Sequence, residues 1–104
     1  MIRVTKQPYE ERYIDISFVN SLPTGETIAT IASYSAINID DESSITSEVF
    51  NGAPVILEGN KKIRVYMKGG ANGLRAKLTI RLVGSAETKP TKLEEDILLL
   101  IVEE

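Results

Sequence analysis

Strict alternation of apolar and polar side chains over two stretches constrains this chain more than any other feature. In residues 62–68 the odd positions Ile63, Val65 and Met67 are apolar, while Lys62, Arg64, Tyr66 and Lys68 are polar or amphipathic. In residues 75–82 the even positions Ala76, Leu78, Ile80 and Leu82 are apolar, and Arg75, Lys77, Thr79 and Arg81 are polar. A two-residue period belongs to a strand with one buried face, because successive side chains leave a pleated backbone on opposite sides. With Gly69-Gly70-Ala71-Asn72-Gly73-Leu74 joining them, the two stretches read as a β-hairpin. Pairing Lys68 with Arg75 and Tyr66 with Lys77 puts both apolar sets on one face.

The same period recurs elsewhere, with turn signals every 8–12 residues or so. Ile2 and Val4 start a short strand that ends before Pro8, and Ile14, Ile16 and Phe18 alternate through residues 12–19. Leu22-Pro23-Thr24-Gly25-Glu26 is a turn, since proline pre-sets one turn angle and glycine accepts positive φ. Residues 27–39 change apolar parity, from Ile28 and Tyr34 to Ile31, Ile37 and Ile39, which predicts a bulge or a change of sheet. Ile45, Ser47 and Val49 before Asn51-Gly52 read as a strand entering a hairpin, and Val55–Leu57 as a brief strand. The segment from Thr91 is ambiguous: Thr91 and Glu94 resemble a capping box for a helix, but Ile97–Val102 shows no 3.6-residue stripe and is read as a strand. A chain of 104 residues suffices for one domain. Seven to eight short strands within 1–104 predict a single all-β domain, an antiparallel β-sandwich of immunoglobulin-like architecture.

Composition narrows the chemistry by absence. There is no cysteine, so disulfides, thiolate metal sites and cysteine nucleophiles are excluded, and no histidine, which removes the commonest general base and zinc ligand. Acid–base catalysis would fall to carboxylates, lysine or tyrosine, and no spacing brings such a pair together; no enzyme and no cofactor are expected. Arg3, Lys6, Glu10, Glu11, Arg12 and Asp15 leave no apolar core for a signal peptide within residues 1–20. The longest aliphatic run, Ile97–Val102, has six residues, against the ~20 needed to span a bilayer. A membrane partner is therefore not expected, and a cytoplasmic location is.

Charge is unevenly distributed. Residues 1–60 sum to −6, residues 61–92 to +8 and residues 93–104 to −5, for a net −3. If the hairpin forms, Lys62, Arg64, Lys68, Arg75, Lys77 and Arg81 make a basic surface that could track a nucleic-acid backbone. The competing reading is a solvated sheet face neutralised by acidic side chains on neighbouring strands, because like charges directly opposite repel. With an acidic chain and one aromatic residue on the stripe, nucleic acid is not the expected partner. Asp40-Asp41-Glu42 with Ser43 and Ser44 offers oxygen ligands but lacks the spacing of a calcium loop, and no metal is assigned to it. Gly69–Gly73 is followed by a strand rather than a helix, so a phosphate cradle is not expected there. Ile97–Val102 is the oddest feature. Ile97, Leu99 and Ile101 can face a core, which turns Leu98, Leu100 and Val102 outward. Either residues 1–8 cover them or they form an interface.

Tyr13-Ile14-Asp15-Ile16, Leu22-Pro23-Thr24-Gly25-Glu26-Thr27-Ile28 and Gly69-Gly70-Ala71-Asn72-Gly73, followed by the acidic-ended Asp96–Glu104 strand, carry a resemblance. From about Arg12 to Glu104 the chain resembles small β-sandwich proteins of bacteriophage and prophage tail and head–tail gene clusters, described as phage fiber-tail adaptor or related virion structural proteins. The resemblance implies a non-catalytic assembly subunit, present in the bacterial cytoplasm during assembly and then in the virion. Its implied partners are other tail or virion proteins, with self-association also open, and Leu98, Leu100 and Val102 would make the contact. The alternative is an immunoglobulin-like carbohydrate- or adhesion-binding module, for which Tyr9, Tyr13, Tyr34, Tyr66, Phe18 and Phe50 are the available aromatics.

Overall fold

A computed structural model describes residues 2–103. Seven strands and one helical turn follow in order: β1 (Ile2–Lys6), β2 (Arg12–Ser17), β3 (Ile28–Asn38), α1 (Thr46–Val49), β4 (Val55–Ile56), β5 (Lys62–Met67), β6 (Arg75–Gly84) and β7 (Lys92–Ile101). They form a four-stranded sheet in the order β1-β7-β6-β3 and a three-stranded sheet in the order β2-β5-β4. The all-β class is as expected, and so is the strand at the C-terminal end. β3 also shows the expected irregularity, with register shifts between Ile28 and Thr30 and between Ile31 and Ser33.

One core lies between the sheets. Ile16, Ile63, Val65 and Met67 from the smaller sheet meet Leu78, Ile80, Ile97 and Leu99 from the larger one, with Val49 and Phe50 closing one side. The inward residues on β5 and β6 are the ones the alternation marked, and on β7 they are the set that could face a core: Ile63, Val65, Met67, Ala76, Leu78, Ile80, Ile97 and Leu99 are all fully buried.

Three expectations are corrected. The hairpin from 62 to 82 does not form: β5 pairs with β2 and β4, while β6 pairs with β3 and β7. Residues 68–74 instead carry the chain from one sheet to the other. Alternation determines which face a strand buries but not its neighbour, and two strands facing each other across a core satisfy it as well as two strands side by side. The crossing is tight at Gly70, where φ is +89° and a Cβ would come within 2.7 Å of the Ile101 side chain. Second, the sandwich is not wholly antiparallel, since β1 runs parallel to β7 with Ile2 opposite Ile97 and Lys6 opposite Ile101. Third, Thr46–Val49, preceded by Ile45, form a helical turn, not a strand entering a hairpin. Phe50 donates to the Thr46 carbonyl at 3.0 Å, and Asn51 donates to the Tyr66 carbonyl at 2.9 Å. Ile45 and Val49, four apart, are in phase with both a strand and a helical turn, so their spacing alone could not decide.

Two buried charged groups were not foreseen. Lys6 lies on the core-facing side of β1, 1% exposed. Its Nζ donates to the Gln7 carbonyl at 2.8 Å and the Gly69 carbonyl at 2.5 Å, which ties β1 to the inter-sheet crossing. Burial pulls its pKa below the ordinary 10.5. Between the folded value and 10.5 the unfolded chain holds more protons, so this side chain adds stability as pH rises through that window. Lys6→Met is expected to cost ~1–3 kcal/mol at neutral pH, because two part-buried carbonyls lose their donor. The gap between wild type and variant should then widen toward pH ~10 in urea titrations; parallel pH profiles would count against this account.

Glu26 is the second. Its Oε2 accepts from the Thr91 backbone N–H at 2.9 Å and its Oε1 from the Thr91 hydroxyl at 2.7 Å. The carboxylate occupies the space beside Gly84, where a Cβ would fall 1.9 Å from Oε2. It thereby joins the Pro23–Glu26 turn to the entry of β7. These bonds from Thr91 hold its pKa below the usual carboxylate value.

Candidate docking surface on the four-stranded sheet

The alternation along β7 sends Ile97, Leu99 and Ile101 into the core and Leu98 and Leu100 to the outer face. β1 does not lie over that face. It pairs edge to edge with β7, so Arg3 stands beside Leu98 and Thr5 beside Leu100. On the other side of β7, Lys77 is opposite Leu98 and Arg75 opposite Leu100. One strand further, Ile37 is opposite Lys77, and Ile39 donates its N–H to the Arg75 carbonyl at 2.9 Å. Two cross-strand rows result, Arg3–Leu98–Lys77–Ile37 and Thr5–Leu100–Arg75–Ile39. Leu98 and Leu100 are half-buried, with Arg3, Arg75 and Lys77 as their register neighbours. Ile39 is 37% exposed, and Val102, just beyond the strand, is 44% exposed.

Two candidates that were separate in the sequence thus converge. The outward apolar residues of β7 share a face with three of the six basic residues, Arg75, Lys77 and Arg81. The other three do not join them: Lys62 and Arg64 lie on the three-stranded sheet, and Lys68 lies in the crossing. The continuous basic surface expected from the hairpin is therefore absent. Ile37 and Ile39 were missed as members of the face, because the bulges in β3 reset which positions point outward.

Most of these cations meet acids across the ladder. Arg64 holds Asp15 through Nε at 2.7 Å and Nη2 at 3.0 Å, with its guanidinium 4.2 Å from the centre of the Tyr13 ring. That bond keeps the Asp15 carboxyl below its usual range and the Arg64 guanidinium more firmly protonated. Arg81 Nε is 2.8 Å from Glu94, its register partner, and Lys77 Nζ is 3.9 Å from Asp96. Arg75 pairs with Asp40. The acidic segments at 40–42 and 94–96 thus supply the partners that a basic face needs.

The acidic turn is occupied internally. Asp41 accepts from the Ser43 hydroxyl at 2.6 Å and the Ser43 N–H at 2.9 Å, and the hydroxyl is the main cause of its lowered pKa. Among the described residues, no three or more metal-ligating side chains cluster. The displaced carboxylates, Glu10, Asp15, Glu26 and Asp41, are all displaced downward, away from the neutral range where a carboxyl exchanges protons readily.

The chain matches no known family model, no curated protein and no solved structure. Its surfaces therefore carry the functional argument. Of the aromatics, Phe18 and Phe50 belong to the core, while Tyr9, Tyr13 and Tyr34 reach solvent. Tyr13 and Tyr66 are paired at 5.8 Å on the three-stranded sheet.

Proposed function

We propose that this chain is a non-catalytic docking subunit of immunoglobulin-like class, resembling the phage fiber-tail adaptor and related virion structural proteins. The immunoglobulin-like part rests on strand order. Lettering β2 to β7 as B to G gives the sheets BED and CFG, the order of that class, with the first strand added to the second sheet.

The observation that carries the docking reading is the outer face of the four-stranded sheet. Leu98 and Leu100 on one side of β6, and Ile37 and Ile39 on the other, bracket Arg75 and Lys77. Apolar residues interleaved with Arg75 and Lys77, whose charges already meet Asp40 and Asp96, suit a protein surface that is covered in an assembly. A carbohydrate module is the weaker reading, because the Arg64 guanidinium lies over the Tyr13 ring and takes up a face that a sugar would stack on.

Size exclusion with light scattering tests the self-association form of this proposal. The wild type is expected to move from one chain toward two or more with rising concentration, and Leu100→Glu to remain monomeric. A wild type that stays monomeric at high concentration, unaltered by the substitution, overturns self-association through this face.

A further inference from the structure

The outer edge of β3 carries a feature independent of that face. Along β6, odd-numbered residues bond toward β3: Ile39 donates to the Arg75 carbonyl at 2.9 Å and Ser85 to the Thr27 carbonyl at 2.8 Å, whereas Gly84 donates to the Thr91 carbonyl at 2.7 Å on the opposite side. The β3 residues in register with even positions of β6 are Ile28, Ile31, Tyr34, Ala36 and Asn38. Their N–H and C=O groups therefore point away from the sheet. Ile28 donates to the Asn60 carbonyl at 2.7 Å, Ala36 to the Thr46 hydroxyl at 3.0 Å and Asn38 to the Ser43 carbonyl at 2.9 Å. Ile31 and Tyr34, between them, have no such backbone partner among the described residues. The ladder is closed at both ends and open in the middle.

Tyr34, at one end of the open stretch, lines a groove of about 420 Å3 together with Ser44, Thr46, Ser47, Phe50 and Gly52. The Tyr34 ring stands edge-on to Phe50 at 5.0 Å between centres and is 36% exposed. No charged residue occurs between Glu26 and Asp40, whereas residues 40–48 carry Asp40, Asp41, Glu42 and Glu48 and no base. Charge, proline and β-bulges are the usual protections against strand addition; this edge carries no charge and no proline, and its protection is confined to the register shifts at Ile28/Thr30 and Ile31/Ser33.

We infer that the edge between Ile31 and Tyr34 receives an extended peptide segment of a partner protein as a fifth strand of the sheet. The segment is uncharged at its centre, where its backbone pairs with Ile31 and Tyr34 and one side chain enters the groove, and basic at the flank that meets residues 40–48. This is strand addition, in which main-chain bonds give affinity and a pocket for alternate side chains gives selectivity. A slim segment suits the gap better than a second copy, because a second β3 would bring its own flanking segments, at Ser43–Thr46 and Asn60, against these.

The test uses the full chain labelled with 15N and a synthetic peptide, Lys-Lys-Thr-Val-Thr-Val-Thr. The expected result is saturable amide shifts at Ile31, Tyr34 and residues 44–50, with hydrogen exchange at Ile31 and Tyr34 slowed at least about tenfold by the peptide. N-methylation of the two peptide valines, which removes their main-chain donors and leaves the protein untouched, is expected to weaken binding by about tenfold or more. Glu48→Lys, which takes residues 40–48 from −4 to −2, should lessen the preference for the lysine-tagged peptide over a glutamate-tagged one. Absence of shifts at Ile31 and Tyr34 at about millimolar peptide, or equal binding of the N-methylated form, overturns the proposal. So does slowed exchange at both amides on raising protein concentration alone, which would assign the edge to a second copy.

Discussion

Leu99→Ala is expected to lower unfolding stability by ~2–5 kcal/mol, whereas Leu98→Ala, one residue away, should cost less than about 1 kcal/mol. Leu99 is fully buried between the sheets, so truncation leaves a cavity lined by neighbours from both of them. Leu98 sits half-buried beside Arg3 and Lys77, where neighbouring side chains and water can close over the loss. Urea unfolding of both variants checks the contrast: a large fall in the midpoint for Leu99→Ala and almost none for Leu98→Ala. Equal losses would mean that the outer face is itself packed against something in the folded monomer, which would undo the docking argument. The comparison separates folding from association, since Leu98→Ala should still weaken any self-association that the Leu100 face supports.

The second large effect concerns Gly84. Adding side-chain atoms there displaces the Glu26 carboxylate, whose Oε2 lies 1.9 Å from where a Cβ would fall. Gly84→Val is expected to destabilise by ~1–3 kcal/mol through overpacking, and the three donors at Thr91 N–H, Thr91 hydroxyl and Ala86 N–H would lose their acceptor. Glu26→Gln should leave the packing and remove the charge. Because the folded carboxylate titrates below its unfolded value of 4.5, its contribution is present above that pH and is lost as pH falls through the folded value. Wild type should therefore lose stability relative to Glu26→Gln on going from pH 6 to about pH 3, measured by thermal unfolding. A constant difference across that range would mean that the carboxylate is held no better folded than unfolded.

Much of the fold was legible because alternation reports burial directly. The inward positions of β5 and β6 were identified from period alone, and the parity change in residues 27–39, read as a bulge or a change of sheet, corresponds to register shifts in β3. Partner choice was not legible. Lys62–Lys68 and Arg75–Leu82 carry matched patterns, and a glycine-rich link can either turn back or cross a core. The decisive contacts are remote in sequence, such as Lys6 to Gly69 and Gly70 against Ile101. Lys6 was hidden for a different reason: a lysine at an inward position looks like a break in the pattern unless the carbonyls that receive its ammonium are known. Of the candidate surface, Leu98, Leu100 and Val102 were identifiable as a surplus of apolar residues on one strand. Ile37 and Ile39 were not, because bulges decouple residue number from face. The free edge at Ile31 and Tyr34 carries no sequence signal apart from its lack of charge.

The place of β7 has a consequence for how the molecule is made. It is the last of the seven described strands in sequence, yet it lies inside the sheet, between β1 and β6. During synthesis β1 waits through the translation of residues 7–91 with no neighbour in its sheet, and β6 emerges with one side unpaired. Unpaired ladders and exposed apolar faces are the features that draw nascent chains into wrong associations. Closing the sheet late, through contacts far apart along the chain, also slows folding. Between the ribosomal exit of Gly84 and that of Ile101, β1 and one edge of β6 therefore stay open together, and both close only when β7 enters between them.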